Sequence, residues 1–205
     1  MEDPILFWND VCNEANRFDH TAPMKGAAQG GPTRSSRATA IVHLAMHDAH
    51  FGVSNPDGFA LYTGAAVNPY TVTGTPPLAV QVSASVSAAA HLTLAALYPE
   101  QAAMFASKAQ EIAGLNETNR AAHAYGYRIG REILRLRDKD GAELSATHVY
   151  NYAKPHHRED PLNPAQEPLG VNWGGVKTFA VSAYHPLANS PAFNSAAYNA
   201  DHDEV

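Results

Sequence analysis

Two imidazoles stand four residues apart, at His43 and His47, with Asp48 and His50 close by. On a helix that spacing puts both rings on one face, where they could share a metal ion. The zincin pattern needs Glu directly after the first His, and Leu44 is there instead, so a general base and a third ligand are unassigned. The competing reading is structural: the groups cap or cross-link buried helices through hydrogen bonds, as buried polar groups must. It is preferred because the surrounding segment is so apolar. His156-His157 lies between Pro155 and Arg158-Glu159-Asp160 and could bind metal or respond to pH, although solvated rings are the simpler reading. Arg34 and Arg37 could hold an anion at a helix N-terminus. Ion pairs with Glu14 or Asp19 are the plainer alternative. Cys12 falls on the expected buried face of the first helix and reads as core rather than nucleophile. No Ser-His-Asp order, P-loop or dinucleotide fingerprint is found. No residue is therefore assigned as catalytic, cofactor-binding or metal-binding.

The elements that would position these groups are helices. Asp3 suits a cap and Pro4 a first turn, and Trp8, Val11, Cys12 and Ala15 then recur at helical spacing. A loop over 19–31 leads to a second helix opened by Pro32 and running to about His50. Ala38, Ile41, Val42, Ala45, Met46 and Ala49 cover much of its circumference, which predicts near-complete burial. Residues 52–76 read as a long loop. Pro76-Pro77 starts a third helix to about Tyr98, with Val82, Val86, Ala89, Ala90 and Leu97 on one stripe. Pro99 opens a fourth that stops at Gly114. Asn116 can cap a fifth, in which Ala122, Tyr125, Ile129, Ile133 and Leu136 follow helical spacing and Gly141 marks the end. From about residue 142 six prolines interrupt the chain while aromatics continue (Tyr150, Tyr152, Trp173, Phe179, Tyr184, Phe193). That stretch reads as an extended arm laid over a surface. Residues 196–205 look like the first turns of a further helix without a stop signal, and the expectation is a truncated or processed product. The reading is thus all-α: a helical bundle over 1–141 and an extended Pro-rich arm over 142–205.

Composition narrows the partners. With 205 residues and 45% hydrophobic content the chain can bury a core. A net charge of -6 and no Lys/Arg run argue against nucleic acid. The single cysteine allows no disulfide within the chain. The acidic Met1-Glu2-Asp3-Pro4 start lacks the basic residues of a signal peptide. No apolar run comes near the roughly 20 residues that span a bilayer, so no membrane partner is expected. The compartment is not set by any of this.

Three places resemble a known family. Ile5-Leu6-Phe7-Trp8-Asn9 with Asn16-Arg17 and His20-Thr21 is similar to the start of vanadium-dependent haloperoxidases. So is Ser35–Val53, with Arg37-Ala38, His43-Leu44-Ala45 and His47-Asp48-Ala49. His148–Leu169 and Trp173–Leu187 resemble that family's Tyr/His/Pro-rich stretch and the aromatic run before its next helix. The resemblance implies an all-α fold of two helical bundles. It also implies that vanadate sits in the second bundle, held by a Lys, Arg residues, a Ser-Gly-His element and a covalently ligating His, where bound peroxide oxidises a halide. A related architecture serves acid phosphatases. None of these site motifs is present: no Pro-Ser-Gly-His, Arg-Pro or Arg-x-x-x-Gly-x-His occurs. His43 and His47 fall in the scaffold part of the resemblance and are not assigned to vanadate.

The expectation is an N-terminal scaffold portion that needs a C-terminal catalytic portion, on a second chain or on polypeptide beyond these residues, with vanadate bound outside this chain. Homo-oligomerisation stays open. Two rivals remain: a stand-alone helical binding module, and a small metalloprotein using His43, His47 and Asp48. The halide, and whether the parent is a phosphatase, are not fixed by the sequence.

Overall fold

A computed structural model describes residues 2–21, 27–113, 116–154, 156–181 and 189–204. Among them are six α-helices and no strand. The chain is all-α, and it divides into two compact units, Met1–Lys139 and Asp140–Val205.

The first unit holds five helices. α1 (Pro4–Asp19) begins as its sequence dictates: Asp3 accepts the amides of Ile5 and Leu6 at 2.8 and 3.2 Å, and Pro4 fills the first turn. α2 (Gly31–Ser54) buries each of the six apolar residues expected of it and runs four residues past His50. α3 (Leu78–Leu97) is the hub, packed against α1, α2, α5 (Arg120–Leu136) and α4 (Ala102–Ala113).

α3 corrects two expectations. Its burial is not confined to a stripe, because every residue from Gln81 to Ala90 is buried. Helices pack on nearly all sides of it, so its small serines and alanines serve as contact surface. It is also the one helix among the described residues long and apolar enough, by length and composition, to cross a membrane, contrary to the expectation that no stretch came close. In the bundle 67% of that window is buried inside the protein, as in a core helix.

Small residues set how closely α5 approaches α3. A Cβ added to Gly126 would lie 1.9 Å from the Ser85 carbonyl oxygen, and one on Gly130 would lie 3.1 Å from that of Ala89. Backbone therefore meets backbone there, and the larger Tyr125, Ile129 and Ile133 fill the space alongside. Polar links between helices add specificity. Trp8 Nε1 donates to Ser87 Oγ (3.0 Å), Ser85 Oγ to the Ala49 carbonyl (3.1 Å), and Gln101 Nε2 to the Ala15 carbonyl (2.9 Å).

The ends of α5 differ from the expected ones. Asn116 does not cap the helix. Its side-chain oxygen accepts from Thr118 and from the Asn119 amide, which makes a turn before the helix starts at Arg120. The C-terminus comes at Leu136, five residues before Gly141, and Arg137 at the helix end is buried. Gly114, the expected stop of α4, lies outside the described residues.

In the second unit the segment after Asn172 returns to its start. Lys177 N donates to the Asp140 carbonyl (2.8 Å) and Asn172 Nδ2 to that of Gly141 (3.0 Å). Gly141 has φ +98°, a conformation only glycine adopts readily. Between these contacts the chain runs through turns and bends, and a last helix, α6, covers Ala196–Glu204.

Candidate functional site

The polar constellation of α2 is a set of anchors. His43 Nδ1 lies 2.9 Å from the Thr39 carbonyl one turn back, and its Nε2 lies 3.2 Å from Asn9 Oδ1 on α1. A carbonyl can only accept, so Nδ1 carries the hydrogen. His47, one turn on, directs Nδ1 to Asp48 Oδ1 at 2.9 Å. The two rings share a helix face but turn their bonds to different partners. Among the described residues no group of three or more His, Cys, Asp or Glu side chains could hold a metal ion.

Asp48 is the centre of the arrangement. It is completely buried, and it receives four donors: His47 Nδ1 and the Tyr62 amide on Oδ1, and the Thr63 amide and hydroxyl on Oδ2, all within 2.7–2.9 Å. A buried carboxylate is tolerated only when so surrounded. The result ties the loop after α2 to the middle of the bundle. Phe51 of α2 stacks on Phe59 from the same loop with ring centres 3.9 Å apart.

A second anchor holds the other end of that loop. Gln81, wholly buried near the start of α3, accepts from Tyr70 OH (2.7 Å) and donates to the carbonyls of Thr73 (2.8 Å) and Pro76 (2.6 Å). Asp19 plays the same part for the loop between α1 and α2, accepting the amides of Ala28 and Gln29 at 2.8 Å each. Sequence reading missed Gln81; the signal available was one amide side chain at the head of an otherwise apolar helix. It also missed His91 and His123, which come together between α3 and α5. Burial lowers the pKa of both, and His91 lowers that of His123 further.

The remaining candidates fall apart spatially. The ion pairs foreseen for Arg34 and Arg37 are replaced: Glu14 binds Arg17 through two bonds of 2.6 and 2.8 Å, and Asp19 is taken up by backbone amides. Both carboxylates find partners nearer in sequence. Arg37 instead donates to the Arg137 carbonyl at 2.9 Å, and Arg34 is exposed. His156 and His157 are exposed, the latter beside the rings of His148 and Tyr150 at 6.1 Å. Cys12 is buried and burial raises its pKa, which keeps it a thiol and part of the core.

The family described as the vanadium chloroperoxidase N-terminal domain matches residues 2–187. A vanadium chloroperoxidase of Curvularia inaequalis is 45% identical over 58 residues, which is 28% of this chain and 9% of that protein. The match thus spans a small fraction of the relative's length, while the family match runs through nearly the whole chain. On that breadth, this chain belongs to the vanadium chloroperoxidase N-terminal domain family.

Proposed function

We propose that this chain is the helical scaffold portion of a vanadium haloperoxidase-like enzyme, and that peroxide-dependent halide oxidation occurs on vanadate held by residues outside it. The observation that carries the reading is the family match over residues 2–187 to an N-terminal domain. The geometry agrees with a scaffold. Vanadate, a tetrahedral oxyanion, calls for several convergent cationic donors and an axial imidazole. The described residues do not fit it: His43 is held by the Thr39 carbonyl and faces Asn9, and His47 is turned to Asp48. Arg37 and Arg137 direct Nη groups to the Arg137 carbonyl and the Tyr62 hydroxyl. No catalytic step is assigned to these side chains.

What they supply is a rigid base. α3, buried from Gln81 to Ala90, fixes α2 and α5, and the anchors at Asp48 and Gln81 fix the loop of 55–77 across them. In this reading a catalytic portion docks on the scaffold and completes the enzyme. The test is halogenation of monochlorodimedone with vanadate, peroxide and halide. The pure 205-residue chain should be inactive, and activity should appear when the vanadate-binding portion is joined to it or added. Vanadate-dependent halogenation by the chain alone overturns the proposal.

A further inference from the structure

Three polar atoms of the first unit are enclosed without a hydrogen-bond partner where α1, α3 and α4 meet: Tyr98 Oη, Gln101 Oε1 and Asn16 Oδ1. Tyr98 is 1% exposed and Gln101 8%, so neither reaches solvent in the folded chain. Tyr98 caps the C-terminal end of α3, and Gln101 closes the 3-10 turn that leads into α4, with its amide hydrogen on the Tyr98 carbonyl at 3.0 Å. Both side chains are directed at the same stretch of α1. Gln101 Nε2 donates to the Ala15 carbonyl at 2.9 Å. Tyr98 lies within electrostatic reach of Cys12 and Asp19, on either side of Ala15. Asn16 belongs to that stretch as well. Leaving such groups unbonded in an interior is costly, and folded proteins seldom do so.

The kinds of atom say what would satisfy them. Gln101 Oε1 and Asn16 Oδ1 can only accept, and the Tyr98 hydroxyl has one hydrogen to give. Burial chiefly, and Cys12 and Asp19 to a lesser degree, push the Tyr98 pKa up, so that hydrogen stays in place near neutral pH. Gln101 cannot turn its amide round without losing the bond from Nε2 to Ala15. A metal ion would suit two amide oxygens but leave the hydroxyl hydrogen unused. The nearby carboxylate is also committed, because the two Asp19 oxygens hold the amides of Ala28 and Gln29 at 2.8 Å each. The missing group is therefore small, neutral, and able to accept one hydrogen and donate two. Water has that valence, and buried waters commonly make about three such bonds.

We propose that a water molecule is bound in the core of the first unit, accepting from Tyr98 Oη and donating to Gln101 Oε1 and Asn16 Oδ1, where it joins the ends of α1 and α3 to the start of α4. The inference concerns the first unit alone and does not depend on the haloperoxidase reading.

A crystal structure of the full chain that resolves ordered solvent should show one water within about 3.2 Å of both Tyr98 Oη and Gln101 Oε1. In solution the test is Tyr98→Phe, which keeps the ring and removes the hydroxyl. With the water in place the substitution should lower the melting temperature by about 2–4 °C, the effect of one lost buried hydrogen bond in a chain of this size. For a solitary hydroxyl the melting temperature would stay or rise, and that result overturns the proposal. Gln101→Met removes the other end of the bridge with little change of volume. In that background Tyr98→Phe should cost less, because the two residues share one water. Strictly additive losses overturn the proposal, as does a crystal structure in which Tyr98 Oη bonds directly to a protein atom.

Discussion

Met1–Lys139 and Asp140–Val205 both carry many apolar residues, yet they use them differently. In the first unit the described prolines stand at or just before helix starts, as Pro4, Pro32 and Pro77 do, in the 3-10 turn Pro99–Gln101 ahead of α4, or in loops. The stretches between are free to keep helical period, and Trp8, Phe105, Ile129 and Leu94 become fully buried. In the second unit six prolines are spread through the chain between the aromatic and aliphatic residues. Each removes a backbone donor and fixes φ, and among the described residues α6, of 9 residues, is the longest helix there. Val149 and Leu162 are 85% and 87% exposed, and Trp173 and Phe179 are half-buried. Spacing, rather than the amount of apolar side chain, decides which region makes a core.

The contrast is broken hardest at the α3–α5 crossing. Gly126→Val drives a Cβ into the Ser85 carbonyl and should cost more than about 4 kcal/mol in urea unfolding, or prevent folding. Gly174→Ala in the second unit meets nothing within 4 Å and should stay within about 0.5 kcal/mol. Equal costs for the two would mean that close packing does not distinguish the units.

Next comes the anchor at Asp48. Asp48→Asn keeps the shape but turns an NH₂ group toward donors, and should destabilise by about 2–3 kcal/mol. His47→Ala removes one of four donors from the carboxylate and should cost about 1 kcal/mol. Chelator should leave the wild-type melting temperature unchanged. A large chelator-induced drop would restore the metalloprotein reading.

A smaller effect is expected from acid. Burial lowers the pKa of His50, His91 and His123 in the folded state. The unfolded chain then binds more protons, so stability is full above the ordinary histidine pKa near 6.5 and falls as pH drops below it. Thermal melts from pH 8 to 5 should show this decline, and His91→Gln with His123→Gln should flatten it. An unchanged slope in the double variant would place the acid sensitivity elsewhere. The smallest effect is expected at Leu162→Ser, within about 0.5 kcal/mol, since the side chain is already in solvent.

The sequence alone determined the helices of the first unit, because period, caps and prolines are local properties. Asp3-Pro4 and the six apolar positions of α2 express rules that act within a few residues, whereas the expected start of the fourth helix at Pro99 is a 3-10 turn and α4 begins at Ala102. The segments that carry the family resemblance were legible too, and so was the buried Cys12. Tertiary structure decided what the polar residues do. Asp48 and His47 are neighbours in sequence, but the other donors to Asp48 come from Tyr62 and Thr63, and only the path of the loop brings them in. Arg37 and the His91–His123 approach depend likewise on partners distant in sequence, and Gln81 on the fold-back of the loop just before its helix. The all-round burial of α3 belongs here as well. A helix in isolation shows one apolar face or several, but how many of them are covered is set by the number of helices that pack on it.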